Sequence, residues 1–428
     1  MSDKVNRVLK GLSPFEKAGI VVVFFFLPFH IFLTPGYWDD EMFARLIAEH
    51  NYNLIGFTIT RYMKGSSRIS IELLLPIMAT LPSVIWKVMN LSMILLLFWD
   101  LNWIMVHVFG IIKKSATYML ALLFCCYPFA AMAQTGWIAT TMNYSWVIAL
   151  GLYALIVMIK PVFSDEKISH IRVIIGSMAL LYSIGYESMA ALLLGMELVI
   201  FFYYRLKKNK IPYYIWIYLF LTIAMLVYIL LCPGNRLRPL SDIENWMPMY
   251  PDLTFVDKLR IAIVMCFMHF VSIPSPVFFI LNLVIAFLGL KQNSKVKWIS
   301  LLPIVIDILW TIYYLGNYFL KRKIITYQAP EAIWITANDK WEQIFLLVSI
   351  LVWFVSVLYV LIRCLAQKDA LRCSAVLIVC CAPEMVVGIS PTVYASMLRT
   401  TIYLYIAMIL VSLSVWYSSE HAKWEKLY

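Results

Sequence analysis

The sequence predicts an all-α polytopic membrane protein, and three observations support this fold class. Of the 428 residues, 63% are hydrophobic and only 14% are charged, and the mean hydropathy is +0.82. A soluble domain of this size needs more charge on its surface. Apolar runs of about 20 residues recur along the chain, which is the length that crosses the hydrocarbon core of a bilayer. The short alternating segments typical of a transmembrane β-barrel are not seen in the sequence.

About 12 transmembrane helices are expected, within a range of 11–14, in a single integral membrane domain that covers residues 1–428. Two further apolar stretches, 69–86 and 261–274, contain or adjoin prolines. Each of these two fits a span, a re-entrant helix or an interfacial helix. The expected spans are 19–34, 88–112, 116–133, 144–160, 173–185, 188–204, 212–232, 275–290, 299–317, 343–362, 374–389 and 400–417.

The distribution of basic residues predicts the orientation, because Lys and Arg concentrate on the cytoplasmic segments of membrane proteins. Residues 1–18 are basic and show no small-residue cleavage site, so they are expected to form a cytoplasmic leader. The C-terminus is expected on the same side. The long loops 35–87, 233–260 and 318–342 then face outward from a bacterial cytoplasmic membrane. The net charge of +11 is explained by this bias rather than by nucleic-acid binding, and the functional site is expected on the outer face.

Three consecutive acids, Asp39, Asp40 and Glu41, follow the first expected span directly. The segment "EMFARLIAEHNY" after them has helical spacing and predicts a short helix parallel to the membrane. Asp39 or Asp40 could act as a general base toward an acceptor hydroxyl. The pair could also hold a divalent cation, Mg²⁺ or Mn²⁺, against phosphate oxygens. The alternative is a solvated cap at the start of a helix.

Basic residues on the expected outer face run against the general charge bias and suit an anionic substrate such as a phosphate or diphosphate. The competing explanation is contact with lipid headgroups. The stretches that carry them are "TRYMKGSSR", "CPGNRLRPL" and the start of the last span, with a further basic cluster at 321–323. The candidate substrate-binding residues in these stretches are Arg61, Lys64, Arg68, Asn235, Arg236, Arg238 and Arg399, and Glu41 of the acidic triplet is expected to join them.

Two short outer turns complete the candidate site. "TGWIATTMNYSW" carries Trp137, Asn143 and Tyr144, a set that suits a sugar because rings stack on its apolar face and the amide bonds its hydroxyls. An aromatic belt at the membrane interface is the alternative. "GYES" carries Glu187 between two nearly continuous spans, where a carboxylate is costly unless it is paired or functional.

Other chemistries find little support in the sequence. There is no Walker A motif and no GxGxxG, so a nucleotide site is not expected. The eight cysteines show no spacing typical of a zinc site. Asp100, Glu197 and Asp307 fall within expected spans and could mark an ion path, but no inverted repeat accompanies them, and structural pairing is the favoured explanation.

Taken in their order along the chain, the motifs resemble those of bacterial membrane glycosyltransferases of the GT-C superfamily, within a multispanning family related to the O-antigen glucosyltransferases. The resemblance implies a GT-C-like bundle that moves a sugar from a polyprenyl-phosphate or polyprenyl-diphosphate donor to a glycan, lipid or protein acceptor. It implies a role as base or metal ligand for Asp39 or Asp40. It also maps a Pro-Gly-Asn motif onto residues 233–235, with Arg236 or Arg238 as phosphate binder. The family's Gly-Arg element maps loosely onto Arg68, where this chain has Ser67-Arg68.

Two other functions remain open at this point. A polysaccharide polymerase or ligase of the O-antigen type would use the outer arginines without needing the acidic pair. A transporter or flippase for lipid-linked sugars would depend on the acids within the membrane rather than on those of the first loop.

Overall fold

The computed structural model describes residues 11–164, 168–208, 210–271, 275–292, 294–320 and 340–421. Several sequence predictions therefore lie wholly or partly outside the described residues. They are the first ten residues of the leader, the end of the stretch 261–274, and most of the loop 318–342 with its basic cluster at 321–323. Within the described ranges all regular secondary structure is helical, and no strand occurs in them.

Nineteen α-helices are seen in the part of the chain that the structure describes. They are α1 (Pro14–Phe32), α2 (Asp39–Glu49), α3 (Leu54–Lys64), α4 (Ile69–Thr80), α5 (Ser83–Trp103), α6 (Lys114–Cys125), α7 (Trp137–Thr140), α8 (Trp146–Phe163), α9 (His170–Ser183), α10 (Glu187–Leu206), α11 (Tyr213–Leu231), α12 (Pro233–Trp246), α13 (Phe255–Val271), α14 (Pro276–Leu290), α15 (Ser294–Phe319), α16 (Lys340–Cys364), α17 (Gln367–Gly388), α18 (Val393–Ser396) and α19 (Ile402–His421). Single π-helical turns extend α5 at its end and join α7 to α8, at Ile104–Val108 and Thr141–Ser145.

Local signals in the sequence explain several of these helix starts. Ser13 and Glu16 form a reciprocal capping box at the start of α1, where Pro14 occupies the first turn. The side chains of Asn53 and Ser169 accept hydrogen bonds from backbone N–H groups in the first turns of α3 and α9. These caps satisfy N–H groups that have no partner inside the helix.

Nine helical segments of the described chain are long and apolar enough to cross a bilayer, and the bent pair α13 and α14 would bring the number to ten. A multi-pass membrane protein is therefore confirmed, whereas the expected number of about 12 is not. Three expected spans correspond to helices of only 12, 14 and 15 residues, namely α6, α9 and α14. At 1.5 Å per residue, each is shorter than the roughly 30 Å of hydrocarbon.

The stretch 69–86 is not one continuous helix. Its first part forms the 12-residue helix α4, and the rest belongs to α5, which begins at Ser83. Pro82 lies between them in an extended conformation, which fits the restriction that proline places on the backbone. The span predicted at 88–112 accordingly begins five residues earlier than expected.

The chain folds into two compact units. Unit 1 comprises residues 1–108 and 128–241. Its most buried span is the segment Trp137–Phe163, against which α5, α9 and α10 pack. A buried polar network crosses this core: the indole N–H of Trp146 donates to Asn90 Oδ1 (2.9 Å), and Asn90 Nδ2 lies 2.9 Å from His30 Nε2.

Unit 2 comprises residues 109–127 and 242–428. Its central helix is α19, and 89% of the corresponding apolar window is buried. Helices α14, α17 and α6 pack around it. Burial on all sides explains why this last helix is apolar around its whole circumference, whereas helices that face lipid on one side leave many apolar side chains exposed.

Candidate functional site

Asp40 lies at the start of α2 and is almost completely buried, with 1% of its surface exposed. Its Oδ1 accepts a hydrogen bond from Ala139 N (2.8 Å), and its Oδ2 accepts bonds from Gly36 N (3.1 Å) and Ile138 N (3.2 Å). Two of these donors belong to the first turn of α7, so Asp40 caps a helix nearly 100 residues further along the chain. Burial raises the pKa of Asp40, while the backbone donors act in the opposite direction.

Gly136 makes this cap sterically feasible. Its φ is +110°, and a Cβ placed there would lie 2.5 Å from Asp40 Oδ1 and 2.9 Å from the carbonyl oxygen of Tyr37. Any other residue would therefore be strained by its backbone conformation and would also displace the carboxylate. The glycine of the "TGW" sequence thus leaves the space in which the Asp40 carboxylate packs against the start of α7.

The other two acids of the triplet have different surroundings. The backbone N–H of Asp39 donates to the carbonyl oxygen of Thr135 (3.0 Å), which fixes its main chain. Its side chain is half-buried and forms no hydrogen bond within the described residues. Glu41 is exposed on the surface of α2. Of the three carboxylates, Asp39 is thus the one that combines a fixed backbone with unused oxygen acceptors.

Arg68, between α3 and α4, is the centre of a polar cluster. Its Nε lies 3.1 Å from Glu187 Oε2, its Nη2 lies 3.1 Å from the same oxygen, and its Nη1 donates to Asn143 Oδ1 (3.1 Å). The guanidinium also lies 4.5 Å from the ring centroid of Tyr186, a favourable cation–π distance. The arginine side chain is 18% exposed and its carboxylate partner 33%.

The neighbouring Glu187 carboxylate stabilises the charged form of Arg68. Burial by itself would lower the pKa of Arg68, but the Glu187 carboxylate outweighs it, and the pKa lies above its usual value. Three of the five guanidinium N–H groups are used by Glu187 and Asn143. The remaining two, one on each Nη, have no hydrogen-bond partner among the residues that the structure describes.

The Pro-Gly-Asn motif joins the same cluster. Asn235 Nδ2 donates to Ser67 Oγ (2.9 Å), and Ser67 N donates to Asn235 Oδ1 (3.3 Å). Gly234 allows this pairing, because a Cβ there would lie only 2.6 Å from the backbone nitrogen of Gly65. The motif therefore serves as a close backbone contact that holds the turn carrying Arg68.

A continuous hydrogen-bonded path connects these segments. Asp40 holds the N–H of Ala139, and the carbonyl oxygen of Ala139 accepts from Asn143 Nδ2 (2.9 Å). Asn143 then accepts from Arg68, which pairs with Glu187. Four motifs that are widely separated in the sequence thus meet within unit 1, together with the Pro-Gly-Asn turn.

A second ion pair supports the turn before Arg68. Arg61 on α3 binds Glu72 on α4 in bidentate fashion, through Nε–Oε2 (2.9 Å) and Nη2–Oε1 (2.8 Å). The guanidinium also lies 5.3 Å from the ring of Phe43. Sequence reasoning named Arg61 as a substrate binder but missed Glu72. A single acid in the first turn of an otherwise apolar helix was the signal that could have identified it.

The aromatic residues of the candidate site are mostly buried. Trp137 is 8% exposed, and its ring stacks on Phe129 with centroids 5.4 Å apart. Tyr144 is equally buried and packs edge-on against Tyr186 at 5.5 Å. Both rings therefore face protein side chains in this structure, rather than the open surface that sugar stacking requires.

The remaining predicted residues have other surroundings. Lys64 and Arg236 are exposed and form no ion pair within the described ranges, and Arg238 is also exposed, on α12. Arg399 belongs to unit 2, where its Nη2 donates to the carbonyl oxygen of Ala395 (3.2 Å).

The acidic pair does not fit a divalent cation. Both oxygens of Asp40 point at backbone N–H groups, which repel a cation, so Asp39 would be the only ligand from the pair. No group of three or more His, Cys, Asp or Glu side chains is arranged to hold a metal in the described part of the chain.

The acids within the helical spans have different environments. Glu197 accepts a hydrogen bond from Thr222 (2.8 Å), and Asp307 accepts from Asn282 (3.0 Å), whose own oxygen accepts from the Trp353 indole. These two acids are thus engaged in local structure. The buried oxygens of Asp100 have no hydrogen-bond partner within the described residues.

Comparisons with known proteins gave no match for this chain, whether with protein-family models, with curated proteins or with solved structures.

Proposed function

We propose that this protein is a membrane glycosyltransferase that moves a sugar from a polyprenyl-phosphate or polyprenyl-diphosphate donor to a hydroxyl of a glycan, lipid or protein acceptor. The observation that carries the proposal is the hydrogen-bonded path within unit 1 that joins Arg68 to the first acidic loop through Asn143 and Ala139. An enzyme of this class needs an anion-binding cation and a general base near the membrane surface.

In this proposal the two aspartates have separate roles. The carboxylate of Asp39 takes the proton from the acceptor hydroxyl, because its oxygens are not used by protein donors. Asp40 is a positioning residue, since its own oxygens hold the first turn of α7. The acceptor oxygen attacks the anomeric carbon, and the bond between that carbon and the donor phosphate oxygen breaks.

The leaving lipid phosphate carries the electron pair of the broken bond and gains negative charge. The two remaining N–H groups of Arg68 stabilise that charge, and fixed donors in a partly buried site do so better than water. Lys64 and Arg236, both exposed, attract the anionic donor to the same region. Glu187 and Asn143 orient the guanidinium, so they contribute by positioning rather than by contact with the substrate.

The decisive experiment measures transfer of radiolabelled sugar from a panel of polyprenyl-phosphate donors by the purified full-length protein. We expect Asp39→Asn to lower the transfer rate by about 100-fold or more, the contribution of a general base. Arg68→Lys is expected to lower it by a similar factor, because lysine cannot make the same set of hydrogen bonds. Glu49→Gln, which removes an exposed carboxylate from the same helix α2, is the matched control and should change the rate less than twofold.

Unchanged transfer by the Asp39→Asn variant would overturn the assignment of the base. If no donor supports transfer, but vesicles containing the protein move a labelled lipid-linked sugar between leaflets, the protein is a transporter and the proposed function is wrong.

A further inference from the structure

The two short helices that follow the first span, α2 and α3, expose different kinds of surface. On α2 the exposed side chains are mainly charged, and Arg45 and Glu49 form an ion pair there at 3.7 Å. On α3 the exposed face carries an apolar row, whose members are spaced four residues apart. The apolar row consists of Ile55, Ile59 and Met63, which are 73%, 59% and 48% exposed. Contact between such a row and water is unfavourable, so the row indicates an apolar partner.

The opposite face of α3 is fixed to unit 1. Phe57 is fully buried, and its ring packs edge-on against Phe43 of α2 and against His50, with centroids 6.4 Å and 5.7 Å apart. The ion pair between Arg61 and Glu72 joins α3 to α4 on the same side. Because these contacts prevent α3 from turning its apolar row inward, the row faces the surroundings of the protein.

The contact of α3 with the end of a membrane span identifies those surroundings. The ring of Tyr62 on α3 stacks on Tyr228 in the last turn of α11, with centroids 4.5 Å apart, and Cys232 Sγ donates to the carbonyl oxygen of Tyr62 (3.1 Å). Helix α11 is one of the membrane-spanning segments, and Leu230 and Leu231 at its end are exposed. These leucines lie in hydrocarbon when α11 spans the bilayer, so α3 beside them lies where the hydrocarbon ends.

The length and composition of α3 also suit the surface of a bilayer. Its 11 residues extend about 16 Å, half of the roughly 30 Å of hydrocarbon, so α3 is too short to cross it. Its charged side chains, Arg61 and Lys64, are both basic. Lys64 is exposed beside the apolar row, where a lysine reaches headgroup phosphates while its methylene groups cover apolar surface. Tyr52, exposed directly before α3, is a residue typical of the membrane interface.

We propose that α3 lies in the surface of the lipid bilayer and inserts its apolar row at the boundary between headgroups and acyl chains. The partner is the bilayer rather than a second copy of the chain, because the apolar row lies beside the exposed apolar end of α11. The charged surface of α2 faces water, so the helix parallel to the membrane that the sequence predicts is α3 instead of α2. Since α3 leads directly into the turn that carries Arg68, the contact keeps this turn at the level of the headgroups. It does not depend on the proposed transfer reaction.

Photocrosslinking of the full-length protein in vesicles of phosphatidylethanolamine and phosphatidylglycerol tests this proposal. The photoreactive amino acid p-benzoylphenylalanine replaces Ile59 in one variant and Arg45, on the charged surface of α2, in the matched control. After irradiation, mass spectrometry of the intact chain measures the yield of lipid adduct. We expect at least about tenfold more lipid adduct at position 59, because the apolar face of an interfacial helix is buried about 5–10 Å into the headgroup–acyl boundary. A yield at position 59 no higher than at position 45 would overturn the proposal. An adduct at position 59 with another part of the chain or with a second copy would also overturn it.

Cysteine labelling measures the same surface with smaller substitutions. Ile59→Cys and Arg45→Cys are each reacted in vesicles with a charged maleimide that is present on both sides of the membrane. Mass spectrometry of peptides distinguishes the new cysteine from the eight native ones. We expect Ile59→Cys to react at least about tenfold more slowly than Arg45→Cys, because the bilayer excludes the charged reagent from the apolar row. Equal rates would show that water reaches this face of α3, and the proposal would be wrong.

Discussion

The burial of Asp40 leads to a sharp prediction about the substitution Asp40→Asn. An amide retains only one acceptor oxygen, whereas the carboxylate accepts three backbone hydrogen bonds. In the best orientation the amide keeps the two longer bonds, to Gly36 and Ile138. Its NH₂ group then faces the N–H of Ala139, which loses its partner in the first turn of α7.

The expected destabilisation is about 3 kcal/mol. Leaving a buried N–H without an acceptor lowers the free energy of unfolding by about 1–3 kcal/mol. The two remaining hydrogen bonds are also weaker, because their acceptor no longer carries a charge. For a unit of this size, that corresponds to a decrease in melting temperature of about 6–12 °C.

Thermal unfolding of the purified protein in detergent, followed by intrinsic tryptophan fluorescence, measures this effect. Asp39→Asn is the matched control, because its side chain is half-buried without hydrogen bonds, and it should shift the melting temperature by less than about 2 °C. Under the proposed function, the two variants separate stability from catalysis: Asp40→Asn is expected to unfold at a lower temperature, whereas Asp39→Asn is expected to stay folded and to lose transfer activity. Equal melting temperatures for Asp40→Asn and wild type would refute the role of Asp40 as a cap.

Three further predictions follow from buried contacts in unit 1, and each is measured by the melting temperature. Gly234→Ala should destabilise by about 2–4 kcal/mol, because its Cβ meets backbone atoms at under 3 Å, whereas Gly195→Ala, with nothing within 4 Å, should be neutral or stabilising. Asn90→Leu should destabilise by about 2–4 kcal/mol by leaving the Trp146 indole N–H without its acceptor, and a neutral result would contradict the network. Glu72→Gln should destabilise by about 1–3 kcal/mol, because its arginine partner then lies half-buried without a counter-charge; unchanged melting would mean that water replaces the pair.

The spans were the most predictable part of the fold, since the length of an apolar run directly reflects the bilayer thickness. The predicted spans were wrong where an apolar stretch of the sequence is longer than the helix that it forms. Residues 116–133 are apolar almost throughout, but α6 ends at Cys125, shortly before Pro128. Apolar composition therefore overestimated the length of the helix.

The sequence singled out several residues of the polar cluster around Arg68, but not the contacts between them. Arg68, Asn143, Glu187 and Asn235 were each identified from a short motif, and they do lie together. The cap that Asp40 forms on α7 could not be predicted, because it joins segments nearly 100 residues apart. Its donors are backbone N–H groups, which almost every residue type has, so the sequence of α7 does not reveal them. The burial of Trp137 was missed for a similar reason, since its partner Phe129 lies in a separate turn.

The hydrogen-bonded path from Asp40 to Arg68 passes through the backbone N–H and the backbone carbonyl of one residue, Ala139. Ala139 gives its N–H to the first acidic loop and its carbonyl oxygen to Asn143, which holds the guanidinium. We therefore expect a displacement of the acidic loop to move this helical turn and, with it, Asn143 and the guanidinium of Arg68. For the transferase proposed above, this linkage predicts that binding of the acceptor at Asp39 and binding of the donor phosphate at Arg68 affect each other, so that the two affinities change together.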